Sequence, residues 1–277
     1  MGRMDNHTPM QKGPMPLKIV SLCPSNTELI AYLGRLDDVA AVDDSSDWPP
    51  EVKQLPNVGP DLHIDMDRVE ALKPDLVVAS LSVPGMERNV EELKRRGLPH
   101  LVLAPNSLED IANDLLQLGE ALGETKKAAD LVRRYRAFLS EYRERAATVA
   151  EPARLYWEWW PRPIFTPGGA NWLSELSELA GGRNIFSDIP QASVQTEWED
   201  VLARNPSHIL LVWVGVQIKK NEPESRHGAP ECPTGRGGPH REHPHFRRIA
   251  LLPAVAAPFS RIKKIGAAFA SGAVSSR

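Results

Sequence analysis

Short apolar runs alternate with stretches of helical spacing through the first half of the chain. Residues 18–22 read as a strand. Past Pro24, apolar positions at Leu29, Ile30, Tyr32 and Leu33 keep helical spacing up to Gly34. Ser25 or Asn26 is expected to cap that helix, with Glu28 near its positive end. Residues 39–42 predict a second strand, closed by the polar, proline-ended loop 43–50. A short helix over 65–72 stops at Pro74, and 76–79 is an apolar strand, β-branched at its centre. A charged helix over 87–96 ends at Gly97, and 101–103 is the next strand. Ser107 and Asp110 form an approximate capping box for a helix through Leu118. The repeated strand–helix order predicts a parallel sheet flanked by helices over 17–123.

Residues 124–150 differ. The segment 124–149 has no Gly or Pro, and its apolar residues Ala128, Leu131, Val132, Tyr135, Phe138, Leu139 and Tyr142 hold helical spacing for about seven turns. It predicts one long helix acting as a stiff spine. A second lobe over 151–217 follows: a strand at 154–159, a loop at 160–163, a turn at 166–169, a helix over 172–180 stopped at Gly181-Gly182, a short helix over 197–203 and a strand at 208–214. Residues 1–16 read as a disordered extension. The tail 218–277, dense in Pro, Gly, Arg and His, shows neither period and has the look of a frameshifted end. The second lobe is therefore expected to lack its last elements, and no internal repeat is legible.

Composition narrows the function classes. The 277 residues are 42% hydrophobic and 25% charged, with a formal net charge of −3 and a pI near 6.3. This argues for a globular protein and against a nucleic-acid binder, which needs a basic face. Cys23 and Cys232 form no CxxC pair and read as two free thiols, with a single long-range disulfide as the alternative. Cys23 follows Leu22, where a lipoprotein signal wants a small residue, and reads as part of a buried strand. The start shows no secretory leader and no apolar run of membrane-spanning length occurs. As written, the chain stays in the cytoplasm.

No sequence signature of a nucleophile, a phosphate loop, a zinc protease or a dinucleotide site is present. His240, His243 and His245 read as a solvated tract rather than a metal site. Three features stand out. The acidic loop from Asp43 and Asp44 through Ser45 to Trp48 follows a strand end, where ligands bind in open α/β sheets. Tyr156-Trp157-Glu158-Trp159-Trp160 places Trp157 and Trp159 on one face and Tyr156 and Glu158 on the other; Trp159 or Trp160 at the strand end suits a flat wall for a planar ligand. Asp67 and Glu199 lie on short helices, one in each lobe, and read from residue type alone as surface charge.

Several segments resemble the vitamin B12 and iron-siderophore binding proteins of ABC importers, most closely the cobalamin type. They are residues 19–28, 47–50, 69–77, 165–168, 178–186 and 201–206, in family order over about 17–214. The resemblance implies an α/β fold of two Rossmann-like lobes joined by one long helix, no enzymatic activity, and a bulky ligand such as cobalamin or another corrinoid in the interlobe cleft, with no covalently held cofactor. It implies ligand contacts at Pro24, Ser25, Asn26, Asp44, Ser45, Trp48, Asp61, Ser80, Trp159 and Trp160. It also implies docking of a monomer onto an importer permease through Asp67 and Glu199, outside the cytoplasm. Ser45, Asp61 and Ser80 stand where cobalamin binders carry aromatics, which leaves another corrinoid or bulky chelate open; Trp48 and Trp160 are candidate substitutes. Two alternatives stay open: a cytosolic corrinoid sensor or chaperone, and a metal-cluster enzyme subunit on a related scaffold, which the two cysteines do not furnish with ligands.

Overall fold

A computed structural model describes residues 17–212 and a strand at 247–250. The first lobe contains β1 (Ile19–Ser21), α1 (Pro24–Tyr32), β2 (Val39–Val42), α2 (Met66–Ala71), β3 (Leu76–Ser80), α3 (Glu87–Arg95), β4 (His100–Leu103) and α4 (Leu108–Ala121). Its strands lie parallel in the order β2-β1-β3-β4. Alternation along β3 decides which core each side chain joins. Val77 and Ala79 pack with Val69 of α2 and with Val90 and Leu93 of α3. Val78 faces the other way, toward Leu29, Ile30 and the α4 residues Ala112 and Leu115. A strand covered on both faces favours apolar residues on both, and β3 is apolar from Leu76 to Ala79, with Ser80 at its end.

The start of α1 departs from expectation. Pro24 opens the helix and Cys23 holds the N-cap position without a side-chain capping bond. Proline fits there because its missing N–H has no intrahelical partner to lose. Ser25 and Asn26 thus sit inside the first turn and do not cap it. Asn26 instead donates from Nδ2 to the Val78 carbonyl at 3.1 Å, stitching α1 to β3. The α4 capping box does form: Ser107 Oγ accepts from the Asp110 N–H at 3.0 Å, and Asp110 Oδ2 accepts from the Ser107 N–H at 2.9 Å.

The spine is α5 (Thr125–Ala146), 22 residues long and so about 33 Å. Ala128, Leu131, Val132, Tyr135 and Leu139 are buried, and the half-buried rings of Phe138 and Tyr142 pack at 4.6 Å. At its entrance the buried Arg35 donates to the Leu122 carbonyl at 2.7 Å and pairs with Asp38 and Glu124. Where α4 crosses α5, Gly119 lies so close to Ala128 that a side-chain carbon there would overlap the alanine Cβ.

The second lobe runs β5 (Ala153–Glu158), β6 (Trp160–Pro161), β7 (Ile164–Pro167), α6 (Trp172–Leu179), β8 (Gly182–Asn184), β9 (Ser193–Thr196), α7 (Trp198–Ala203), β10 (His208–Leu211) and β11 (Arg247–Ala250). Its main sheet is parallel, in the order β11-β10-β5-β8. Read from the other edge, this repeats the order of the first lobe, with β8, β5, β10 and β11 standing for β2, β1, β3 and β4. A structural repeat is therefore present where none was legible. Other expectations are corrected here. Thr166 and Pro167 belong to β7, which pairs antiparallel with β9, and form no turn. Trp160 and Pro161 form β6, which pairs with β7. Gly182 opens β8 and does not end α6. Residues 247–250 of the tail supply a fourth parallel strand, so the second sheet has the element it was expected to lack; the rest of the irregular tail, with His240, His243, His245 and Cys232, lies outside the described residues, as does the extension 1–16.

Trp157 and Tyr156 separate as strand geometry demands. Trp157 is buried against α6, donating from Nε1 to Ser177 Oγ at 2.8 Å. Tyr156 lies on the opposite face with Phe186 and Trp198. One core runs from Ile19 and Leu103 through Leu131 and Tyr135 to Leu155, Trp157 and Leu173, so both lobes share the spine. Glu175 Oε2 on α6 also accepts from the Leu108 N–H of α4 at 3.2 Å, joining the lobes directly.

Candidate ligand-binding faces

The carboxyl ends of parallel strands gather the loops that meet ligands in α/β proteins. In the first lobe, β1 delivers the half-buried Pro24 and Ser25, and β2 delivers the loop from Asp43 to Trp48. Asp61 comes from the segment that Asn89 of α3 holds by donating to the Asp61 carbonyl at 2.6 Å. The Asp44 N–H donates to the Gly59 carbonyl at 3.0 Å and ties the two loops together.

A buried hydroxyl chain braces this end. Thr27 Oγ1 donates to Ser21 Oγ at 2.8 Å and lies 2.9 Å from Ser46 Oγ. Ser46 donates to Asp43 Oδ1, whose other oxygen accepts from the Ser45 N–H at 2.9 Å. Burial pushes the Asp43 carboxyl up to about 6, with the Asp61 and Asp44 carboxylates adding to the effect. Asp61 is also raised, by burial first and then by Asp44. The free Cys23 thiol is pushed up to about 11 by burial, which makes it a packing residue and not a nucleophile.

The residues selected from sequence divide into two groups. Asn26 and Ser80 are buried and spent locally, Asn26 on Val78 and Ser80 on Ser82 Oγ at 2.8 Å. Pro24, Ser25, Asp44, Ser45, Trp48 and Asp61 reach the surface of the first lobe. Trp48 is 38% exposed and leans on Tyr32 with ring centroids 5.2 Å apart. In the second lobe Trp159 is half-buried against the shared core, while Trp160 is 44% exposed, its Nε1 donating to the Arg162 carbonyl at 3.0 Å.

One residue escaped the sequence reading. Leu81, the position after β3, is 38% exposed, and its N–H donates to the Leu103 carbonyl at 2.9 Å. Among the described residues the exposed large hydrophobics are Trp48, Leu81, Val149 and Trp160. Leu81 and Trp160 stand just past the carboxyl ends of β3 and β5, and Trp48 lies in the loop that follows β2. A leucine following an apolar strand looks like one more strand residue, and only the placement of the strand end reveals its exposure.

Asp67 and Glu199 occupy matching positions. Each is the second residue of a six-residue helix, α2 or α7. Each helix is followed by a residue in the left-handed region, Lys73 at φ 50° and Asn205 at φ 48°, and then by Pro74 or Pro206 and a strand. The Asp67 side chain is 87% exposed and paired to Arg96 at 2.7 Å; Glu199 is exposed. Among the described residues no His, Cys, Asp and Glu group is arranged to hold a metal, and no helix is long and apolar enough to cross a membrane.

Two lobes of repeated strand order share one helical spine, with apolar and acidic groups at the sheet ends. The family model described as "Periplasmic binding protein" matches residues 19–225. The chain belongs to this family of solute-binding proteins, which are not enzymes; the metal-cluster enzyme reading is thereby set aside. The chain is 32% identical over 189 residues to the vitamin B12-binding protein of Vibrio parahaemolyticus, covering 68% of each. It is 32% identical over 201 residues to that of Yersinia pestis, covering 73% of this chain and 71% of the relative. Among solved structures it is similar to the periplasmic vitamin B12 binding protein BtuF of Vibrio cholerae, with a TM-score of 0.62, 29% identity, and 72% and 78% of the two chains covered. It is also similar to the periplasmic heme-binding protein RhuT from Roseiflexus sp. RS-1, at 0.63, 25%, 72% and 77%.

Proposed function

We propose that the protein captures a corrinoid such as cobalamin, or a similar bulky chelate, in a cleft between its lobes and delivers it to an ABC importer. The observation that carries the reading is the family membership joined to exposed Trp48 and Trp160 at the sheet ends. Exposed indole rings at strand ends suit the apolar face of a bulky, flat ligand. The shared core along α5 suits small lobe movements rather than a wide clamshell. Asp67 and Glu199, in register on the two halves of the repeat, are the acids that meet arginines of the permease. Work outside the cytoplasm, as a monomer, completes the proposal.

Titration calorimetry against cyanocobalamin, dicyanocobinamide, haemin and a ferric siderophore tests it. Stoichiometric binding of a corrinoid without turnover is expected. Heat from haemin alone moves the assignment to haem, and silence toward all four removes the receptor reading.

A further inference from the structure

The first-lobe face combines two kinds of group that seldom share a surface. Trp48 and Leu81 are both 38% exposed, in the segments that follow β2 and β3, the two strands flanking β1 in one sheet. Around them the chain between residues 43 and 63 carries Asp43, Asp44, Asp47, Glu51 and Asp61 against Lys53 and His63. Nearby arginines are otherwise engaged: Arg68 donates to the Asn57 carbonyl at 2.7 Å, and Arg96 holds Asp67 and Glu70. Asp43, Asp44 and Asp61 feel one another's charge, and the Asp44 N–H is tied to the Gly59 carbonyl two residues before Asp61, so these carboxylates gather at the end of the sheet from which Trp48 and Leu81 also project.

We propose that this face is a charge filter: Trp48 and Leu81 receive the apolar face of a macrocyclic ligand, while Asp44 and Asp61 select a rim of amide or cationic donors over a rim of carboxylates. The inference rests on the receptor reading above and adds the chemical class of its ligand. A primary amide offers two N–H donors to a carboxylate acceptor. A ligand carboxylate offers none at neutral pH, and it brings a like charge into a site that binding dries out, so the wrong ligand is rejected by repulsion.

The test uses cyanocobalamin and its monocarboxylate, in which one side-chain amide is hydrolysed, so that size and shape are kept and one negative charge is added. Affinities are measured at pH 8 for the full chain and for Asp44→Asn, Asp61→Asn, the combined Asn variant and Leu81→Ala, each checked for folding by circular dichroism. The wild type is expected to favour the amide form by about tenfold or more, between the values for one like-charge contact in bulk water and near a protein surface. About 0.5 M salt should narrow the gap. The two Asn variants should bring it below about threefold, while Leu81→Ala weakens both forms alike. Equal wild-type affinities, or a gap that the combined Asn variant leaves intact, overturn the filter while the receptor reading stands. Binding of neither form overturns that reading, and the filter with it.

Discussion

The contact that fixes the spine to the first lobe is the crossing of α4 and α5 at Gly119 and Ala128. A carbon added at Gly119 would overlap the Ala128 Cβ and come within 3.4 Å of the Glu124 carbonyl oxygen. Neither group can swing away, since one is a methyl on a rigid helix and the other is backbone. Alanine at 119 recovers up to about 1 kcal/mol of helix propensity. Overpacking costs about 1–3 kcal/mol, and the rigid partners put this site near the upper end. Gly119→Ala should therefore lower stability by about 2 kcal/mol. Ala128→Gly alone should cost about 1 kcal/mol, mostly propensity. In the double variant the methyl changes sides of the same contact, so the combined loss should be no more than about 1 kcal/mol, leaving a favourable coupling of about 2 kcal/mol. Urea unfolding followed by circular dichroism, with an unchanged m-value, measures all three. Losses that simply add, within about 0.5 kcal/mol, mean that the helices do not meet there, and refute the argument.

Further outcomes follow from the same geometry. Trp48→Ala should weaken corrinoid binding by about thirtyfold, as for a central aromatic anchor, with the thermal midpoint nearly unchanged because the ring is partly exposed; fluorescence quenching and a melt together check this, and a large drop in midpoint assigns Trp48 to packing instead. Asp43 and Asp114 are both raised to about 6, Asp114 by burial and then by Asp110. The folded protein therefore binds more protons than the unfolded chain between about pH 4 and 6, and stability falls as pH rises through that window. Asp114→Asn should flatten the fall and raise stability above pH 7 by roughly 1 kcal/mol after discounting for solvent; a slope as steep as in the wild type contradicts this. Asp67→Ala and Glu199→Ala should weaken binding to the importer in lipid nanodiscs and leave ligand affinity unchanged, and undiminished docking speaks against their proposed role.

The sequence was most informative where one physical signal dominated. The α5 stripe from Ala128 to Tyr142, the Ser107–Asp110 box and the apolar β3 each have a single local reading, and all three formed. It was least informative in the second lobe. There β6, β8 and β9 are two to four residues long, too short to show a period, and Pro161 and Pro167 imitate loop residues. The repeat was hidden because its marks are conformational: Lys73 adopts the left-handed region as Asn205 does, and lysine gives no warning of that. Candidate contacts Asn26 and Ser80 looked available because residue type alone does not reveal burial, while Leu81 was passed over for the converse reason. Trp48, in a polar, proline-ended loop, was legible as a candidate contact, but its 38% exposure is set by how the loop lies against Tyr32.

Hydrogen exchange with and without cyanocobalamin is the most direct test that the two sheet ends close on one ligand. Binding should protect segments 43–63 and 158–166 together, at one ligand per chain, while exchange in α5 stays as it was. Protection restricted to a single lobe, or spread along α5 with both sheet ends unaltered, contradicts the account.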